Sequence, residues 1–151
     1  MRRFMRWPKL RQLALSLASA VVAALGLVLI YDAIIATFIL GVVICHEFGH
    51  YFASHRHGAA LPLFFGFGLF VVGVTAVRAG QDLPSYASGP IAGVAAALGG
   101  IAVGVVMGSA VLVEAALVLV LVELAGATIG SDGAKILKAI RKEQACSQLS
   151  A

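Results

Sequence analysis

An all-α polytopic membrane protein, with four transmembrane helices and a short membrane-associated β-hairpin or re-entrant loop, is what this sequence predicts. Three observations carry that reading. Hydrophobic residues fill 61% of the 151 positions and charged residues only 12%, with a mean hydropathy of +1.01, well outside soluble-domain composition. Apolar runs recur at about the 20 residues that a bilayer crossing needs. The basic residues gather where those runs end.

The first run, 12–30, follows a start that holds Arg2, Arg3, Arg6, Lys9 and Arg11. Ala18-Ser19-Ala20 has the small-x-small look of a signal cleavage site. It lies inside the run, however, and the run is longer than a signal-peptide core, so it reads as an uncleaved helix. Tyr31-Asp32 separates it from the second run, 33–54. The third run, 87–107, has small residues at four-residue spacing (Ala92, Ala96, Gly100, Gly104, then Gly108), a face that lets backbones approach closely in lipid. Gly108-Ser109 leads into the fourth run, 110–128. Between the second and third lies Leu61 to Val77, apolar throughout but holding Pro62, Gly66, Gly68 and Gly73 among Phe and Val. That composition suits strands better than helix. It reads as a hairpin covered by protein, because lipid cannot satisfy its backbone. An amphipathic segment, Ala134 to Lys142, closes the main body. The chain divides into a basic segment 1–11, a single membrane domain 12–142 and a tail 143–151.

Orientation follows from charge. With a cytoplasmic N-terminus and four crossings, all eleven Lys and Arg fall on the cytoplasmic side. Five precede the first span, Arg56 and Arg78 flank the hairpin, and Lys135, Lys138, Arg141 and Lys142 follow the fourth. A fifth span through Leu61–Val77 would move the last four outside. The expectation is a multi-pass protein of a bacterial or archaeal cell membrane with both termini in the cytoplasm. A net charge of +4 distributed this way points to the bilayer and away from nucleic acid. Cys45 and Cys146 make a poor disulfide pair, one at membrane depth and the other in the tail.

The chemistry centres on His46-Glu47-Phe48-Gly49-His50, inside the second span. A helix puts residues four apart on one face, so His46 and His50 can chelate one ion while Glu47 stands beside it. Zn²⁺ takes neutral imidazoles plus a carboxylate and keeps one position for water. The bland alternative is a pair of satisfied interior histidines. Ionisable groups at membrane depth are costly and usually functional, which favours the metal. Cys45 points about 100° away from His46 and reads as packing. From the far end of its helix, His46 lies about 12 residues, or roughly 18 Å, down, so the cytoplasmic exit is nearer.

A third ligand is needed. Asp132 is the leading candidate, in Gly130-Ser131-Asp132-Gly133 just past the fourth span, where Gly126, Gly130 and Gly133 are expected to break the helix. The alternative for Asp132 is an N-cap of the amphipathic segment. Glu123, within the fourth span, competes as a ligand or serves as an outer partner for a ligand histidine. Glu114 lies near the outer end. His55 and His57 flank Arg56 and read as solvated boundary residues.

Taken together, His46-Glu47-Phe48-Gly49-His50, then Ser88-Gly89-Pro90, then Asp132-Gly133 before a basic helix resemble the site-2 protease family of intramembrane zinc metalloproteases. The resemblance spans about residues 33–140 and includes the order of the elements. It implies that His46, His50 and Asp132 bind zinc and that Glu47 is the catalytic base. It also implies hydrolysis of peptide bonds in or near transmembrane segments of membrane-tethered protein substrates. An exposed strand edge in the hairpin would suit pairing with an extended substrate segment.

The chain departs from the family pattern at two places. Gly93 stands where the family commonly has Asn after Gly-Pro, and Leu124-Ala125-Gly126-Ala127 where it commonly has Asn-x-x-Pro. Three other readings therefore stay in view. One is a membrane zinc protease that uses Glu123 as third ligand. Another is a zinc-binding relative that holds substrates or partners without turnover. The weakest is metal transport, since no second set of intramembrane ligands lines a path.

Overall fold

The computed structural model describes residues 9–67, 70–76, 83–129 and 131–149. Arg2, Arg3, Arg6, Arg78, Gly68, Val77 and Gly130 lie outside the described residues, as do the side chains of Lys142 and Cys146. In chain order the elements are α1 (Lys9–Val28), α2 (Ala33–Ser54), a 3-10 turn (His55–His57), β1 (Leu63–Phe67), β2 (Phe70–Val74), α3 (Leu83–Met107), α4 (Ala110–Ile129) and α5 (Ser131–Leu149). The first four helices are long and apolar enough to cross a membrane. Local signals set their ends. Asp32 caps α2, its carboxylate accepting from the N–H groups of Ile34 and Ile35 at 2.9 and 3.1 Å. Gly108, at φ +66°, stops α3 in the left-handed region that favours glycine. Gly58, at φ +83°, does the same after the 3-10 turn.

The helices alternate in direction. Gly49 of α2 meets Ser88 and Ala92 of α3, while Phe38, earlier in α2, meets Gly100, later in α3. Gly93 of α3 meets Glu123 of α4, and Gly104 meets Val113. The contact face of α3 is therefore Gly89, Gly93, Ala97, Gly100 and Gly104, all buried. This face lies beside the expected stripe, sharing Gly100 and Gly104 with it. Small residues let the helices close without a hydrophobic drive, which lipid does not provide. Large apolar side chains such as Val21, Leu25, Ile91, Val103, Val106, Leu117 and Leu121 instead point outward. Only 17–28% of each helix's most apolar window is buried inside the protein. Such a surface needs a bilayer against it.

The segment around Leu61–Val77 forms an antiparallel hairpin, with Leu63 opposite Val74 and Phe64 opposite Gly73. Its cover is α1. Ser19 of α1 accepts the Phe64 N–H at 3.0 Å, Gln12 accepts the Leu61 N–H at 3.5 Å, and Lys9 donates to the Ala59 carbonyl at 3.4 Å. With Ser16, buried on the same face, these residues form a polar stripe on an otherwise apolar helix. The stripe satisfies the outer edge of β1, as a backbone away from water requires. Because the Phe64 N–H points away from β2, antiparallel geometry makes Phe64–Gly73 a non-hydrogen-bonded pair. The Gly73 N–H and carbonyl then point out of β2's other edge, which no described strand covers.

Some boundaries differ from the sequence reading. α1 begins at Lys9, and α3 at Leu83, four residues before its apolar run. α4 continues through Gly126, which has open space around it, so that glycine does not break the helix. α5 runs on to Leu149, past the expected tail boundary. Helix formation needs only local hydrogen bonds, and it outlasts the apolar pattern on which those boundaries rested.

Candidate metal centre

His46, His50 and Asp132 come together in the structure. One donor atom from each lies within 4.8 Å of the other two, and the group could hold a metal ion. His46 Nε2 and His50 Nε2 each lie 3.3 Å from Asp132 Oδ2. The other nitrogen of each ring is already engaged. His50 Nδ1 donates to the Ser85 carbonyl at 3.0 Å, and His46 Nδ1 lies 2.6 Å from Glu123 Oε2. A ring that donates from Nδ1 in its neutral form presents a lone pair at Nε2. Two such lone pairs and a carboxylate oxygen thus converge with no donor hydrogen of their own between them, an arrangement that a cation reconciles. The two histidine–aspartate distances fit as well. Two ligands about 2.05 Å from a tetrahedral zinc stand about 3.3 Å apart.

Each member of the cradle has a partner from a different place in the chain. Glu123, buried on α4, holds His46. The Ser85 carbonyl on α3 holds His50. Lys135 on α5 donates to Asp132 Oδ1 at 3.2 Å, leaving Oδ2 to face the histidines. Such outer contacts fix ring orientation and tautomer in metal sites. Burial opposes the charged form of Asp132. The Lys135 ammonium beside Oδ1 favours it. Asp132 lies in the first turn of α5 with its carboxylate turned to these groups. Glu123 meets the same imidazole as Asp132 from the opposite nitrogen, which is how a residue a full 9 positions away in sequence reaches the site.

Glycines carve the space. A Cβ on Gly89 would overlap the His50 ring, and one on Gly73 would overlap the Glu47 side chain. A Cβ on Gly93 would stand 2.5 Å from Glu123 Cδ, and one on Gly133 would stand 2.6 Å from the Thr128 carbonyl carbon. Gly49 brings α2 against the Ser88 backbone. The Gly-Pro pair gains a physical meaning here. Gly89 leaves room for the imidazole, and Pro90, inside α3 and without an N–H, loosens the adjoining turn. Gly93 is where the buried Glu123 carboxylate lodges. Leu124, next to it, is 49% exposed and points outward.

Glu47 is buried, with Thr75 donating to its Oε2 at 2.6 Å. It borders a cavity of about 190 Å³ that His50, Asp132, Lys135, Tyr86 and the β2 residues Val72, Gly73 and Val74 also line. Glu47, two members of the cradle and the open strand edge therefore share one space. The remaining candidates lie elsewhere. Cys45 is a free, exposed thiol, Glu114 is exposed on α4, and His55 and His57 are exposed at the end of α2. Thr75, Tyr86, Lys135 and the Ser85 carbonyl carry no sequence pattern that marks them. Comparison with protein families, characterised proteins and solved structures finds no match to this chain.

Proposed function

We propose that this protein is an intramembrane zinc metalloprotease of the site-2 type, cutting peptide bonds in or near transmembrane segments of membrane-tethered proteins. The observation that carries the reading is the convergence of His46 Nε2 and His50 Nε2, each 3.3 Å from Asp132 Oδ2, in a space that the Glu47 carboxylate borders. In this reading His46, His50 and Asp132 hold zinc, and Glu123, Ser85 and Lys135 hold those three in place. Bound zinc supplies Lewis acidity, making water a nucleophile near neutral pH and polarising a carbonyl. Glu47 takes the proton of the attacking water and passes it to the departing amine. The Gly73 edge of β2 pairs with the substrate backbone, which must unwind to an extended form to be cut. In this reading the mouth opens on the cytoplasmic side, which the basic residues at that end of the bundle favour.

A second reading follows from Gly93 and Leu124, positions where the family commonly carries asparagines. A zinc-holding relative without turnover would keep the cradle and lack the groups that orient substrate. Purified protein in micelles separates the two. Zinc content is measured together with cleavage of a co-purified single-span substrate, in wild type and in Glu47→Gln. Stoichiometric zinc with Glu47-dependent cleavage supports the protease. Zinc without cleavage of any single-span substrate supports the non-enzyme, and absence of zinc binding overturns both.

A further inference from the structure

We propose that Thr75 is the positioning residue for Glu47, so that the strand edge offered to substrate also aims the general base. The inference rests on the metalloprotease reading above. Thr75 follows β2 directly. Its hydroxyl has one proton to donate and two Glu47 acceptors within reach, the main-chain carbonyl at 3.0 Å and Oε2 at 2.6 Å. The carboxylate contact is the shorter and is charge-assisted. Two residues earlier, Gly73 leaves the volume that the Glu47 side chain fills, and a Cβ there would stand 2.8 Å from Glu47 Oε1.

The two contacts divide the carboxylate. Thr75 occupies Oε2, and Oε1 lies on the face of β2 where Gly73 lacks a side chain, next to the edge at which substrate backbone would pair. A free glutamate side chain samples several rotamers, and holding it costs entropy. A general base must stand within hydrogen-bond reach of the proton it takes. Thr75 removes that search without a hydrogen bond to the cradle: among the described residues its side-chain hydrogen bonds go to Glu47 alone. The hairpin thus reaches past substrate docking into the catalytic step. A shift of β2 along α2 would move the docking edge and the aim of Glu47 together.

The test compares Thr75→Val, which keeps the shape and removes the hydroxyl, with Thr75→Ser, which keeps the hydroxyl. Thr75→Val is expected to bind wild-type zinc and keep KM while kcat falls roughly 10-fold or more. Thr75→Ser is expected to recover most of that loss. An unchanged kcat in Thr75→Val, or a raised KM with kcat intact, overturns the proposal. A second measurement does not depend on activity. Thermal unfolding in micelles is followed for Thr75→Val, Glu47→Ala and the double variant. If the hydroxyl holds the carboxylate, the double variant shifts the midpoint by less than the two singles together. Additive shifts overturn the proposal. Should the wild type cleave nothing, the protease reading fails, and this cycle still decides whether Thr75 holds Glu47.

Discussion

At the scale of single residues, the proposed reading gives Glu47 and Asp132 separable roles. Glu47 makes no contact that a metal cradle needs, so Glu47→Gln is expected to keep zinc and fold while cleavage disappears. Cleavage near the wild-type rate in that variant would rule out the mechanism. Among the described residues Asp132 is the one carboxylate that closes the cradle from the Nε2 side, and two histidines alone leave zinc under-coordinated. Asp132→Ala should therefore lose most bound zinc, read by metal analysis of the purified protein. Asp132→Glu is expected to retain metal and cleave slowly, since its longer arm misplaces the site. Glu123 acts through His46, and losing such an outer partner weakens metal binding about 10- to 100-fold. Glu123→Ala should thus fill with zinc only at higher free metal, well short of the loss in Asp132→Ala. The reverse order would make Glu123 the third ligand. How legible each residue was follows from the distance its argument had to cover. His46 and His50 are four apart on one helix, and that spacing suffices. Asp132 needed the return of α4 and α5, which no local pattern encodes. Thr75 and Lys135 gave no signal, because their meaning comes entirely from carboxylates elsewhere in the chain.

At the scale of elements, the site depends on how closely helices and hairpin approach. The sequence reading found the four spans and the hairpin, since apolar length and strand-favouring composition are local properties. It read the glycines of α3 as a generic packing face. Their particular uses stayed hidden, because a missing Cβ acquires meaning only from the side chain that fills its place. Gly93 admits Glu123 from 30 positions downstream, and Gly73 admits Glu47 from 26 positions upstream. Gly126 was misread for the complementary reason: a glycine in open space inside a lipid-embedded helix has nothing to force a break. Gly89 and Gly99 give a controlled comparison on α3. A Cβ at Gly89 collides with the His50 ring, whereas one at Gly99 meets nothing within 4 Å. Gly89→Ala is expected to cut zinc binding sharply with helix content unchanged by circular dichroism, and Gly99→Ala to leave both intact. Equal zinc in the two would mean that the His50 ring has another way to sit.

At the scale of the whole molecule, access to the cradle depends on which end of the bundle faces the cytoplasm. Antiparallel helices put the start of α1, the end of α2, the hairpin and the α4–α5 junction at one end, with the cradle near it. Lys9 reaches the Ala59 carbonyl there, Arg56 is exposed beside it, and Lys135, Lys138 and Arg141 line the exposed side of α5. Lys and Arg next to spans resist translocation, and the bias in short loops sets orientation. The loops at the opposite end, around Tyr31-Asp32 and Gly108-Ser109, hold no basic residue. Reporter fusions after Ile30 and after Met107 are therefore expected to read the outer side, and fusions after His57 and Ala151 the cytoplasm. The hairpin is the critical element in this experiment. It turns back on itself under α1 without crossing, so α3 starts from the same side on which α2 ends. A C-terminal fusion that reads the outer side would require the segment around Leu61–Val77 to cross. That would take the β2 edge away from Glu47 and separate the α5 basic residues from those of the N-terminus. The cradle and the edge can serve one reaction only if the hairpin stays on one side and the chain comes back to that side after its last crossing.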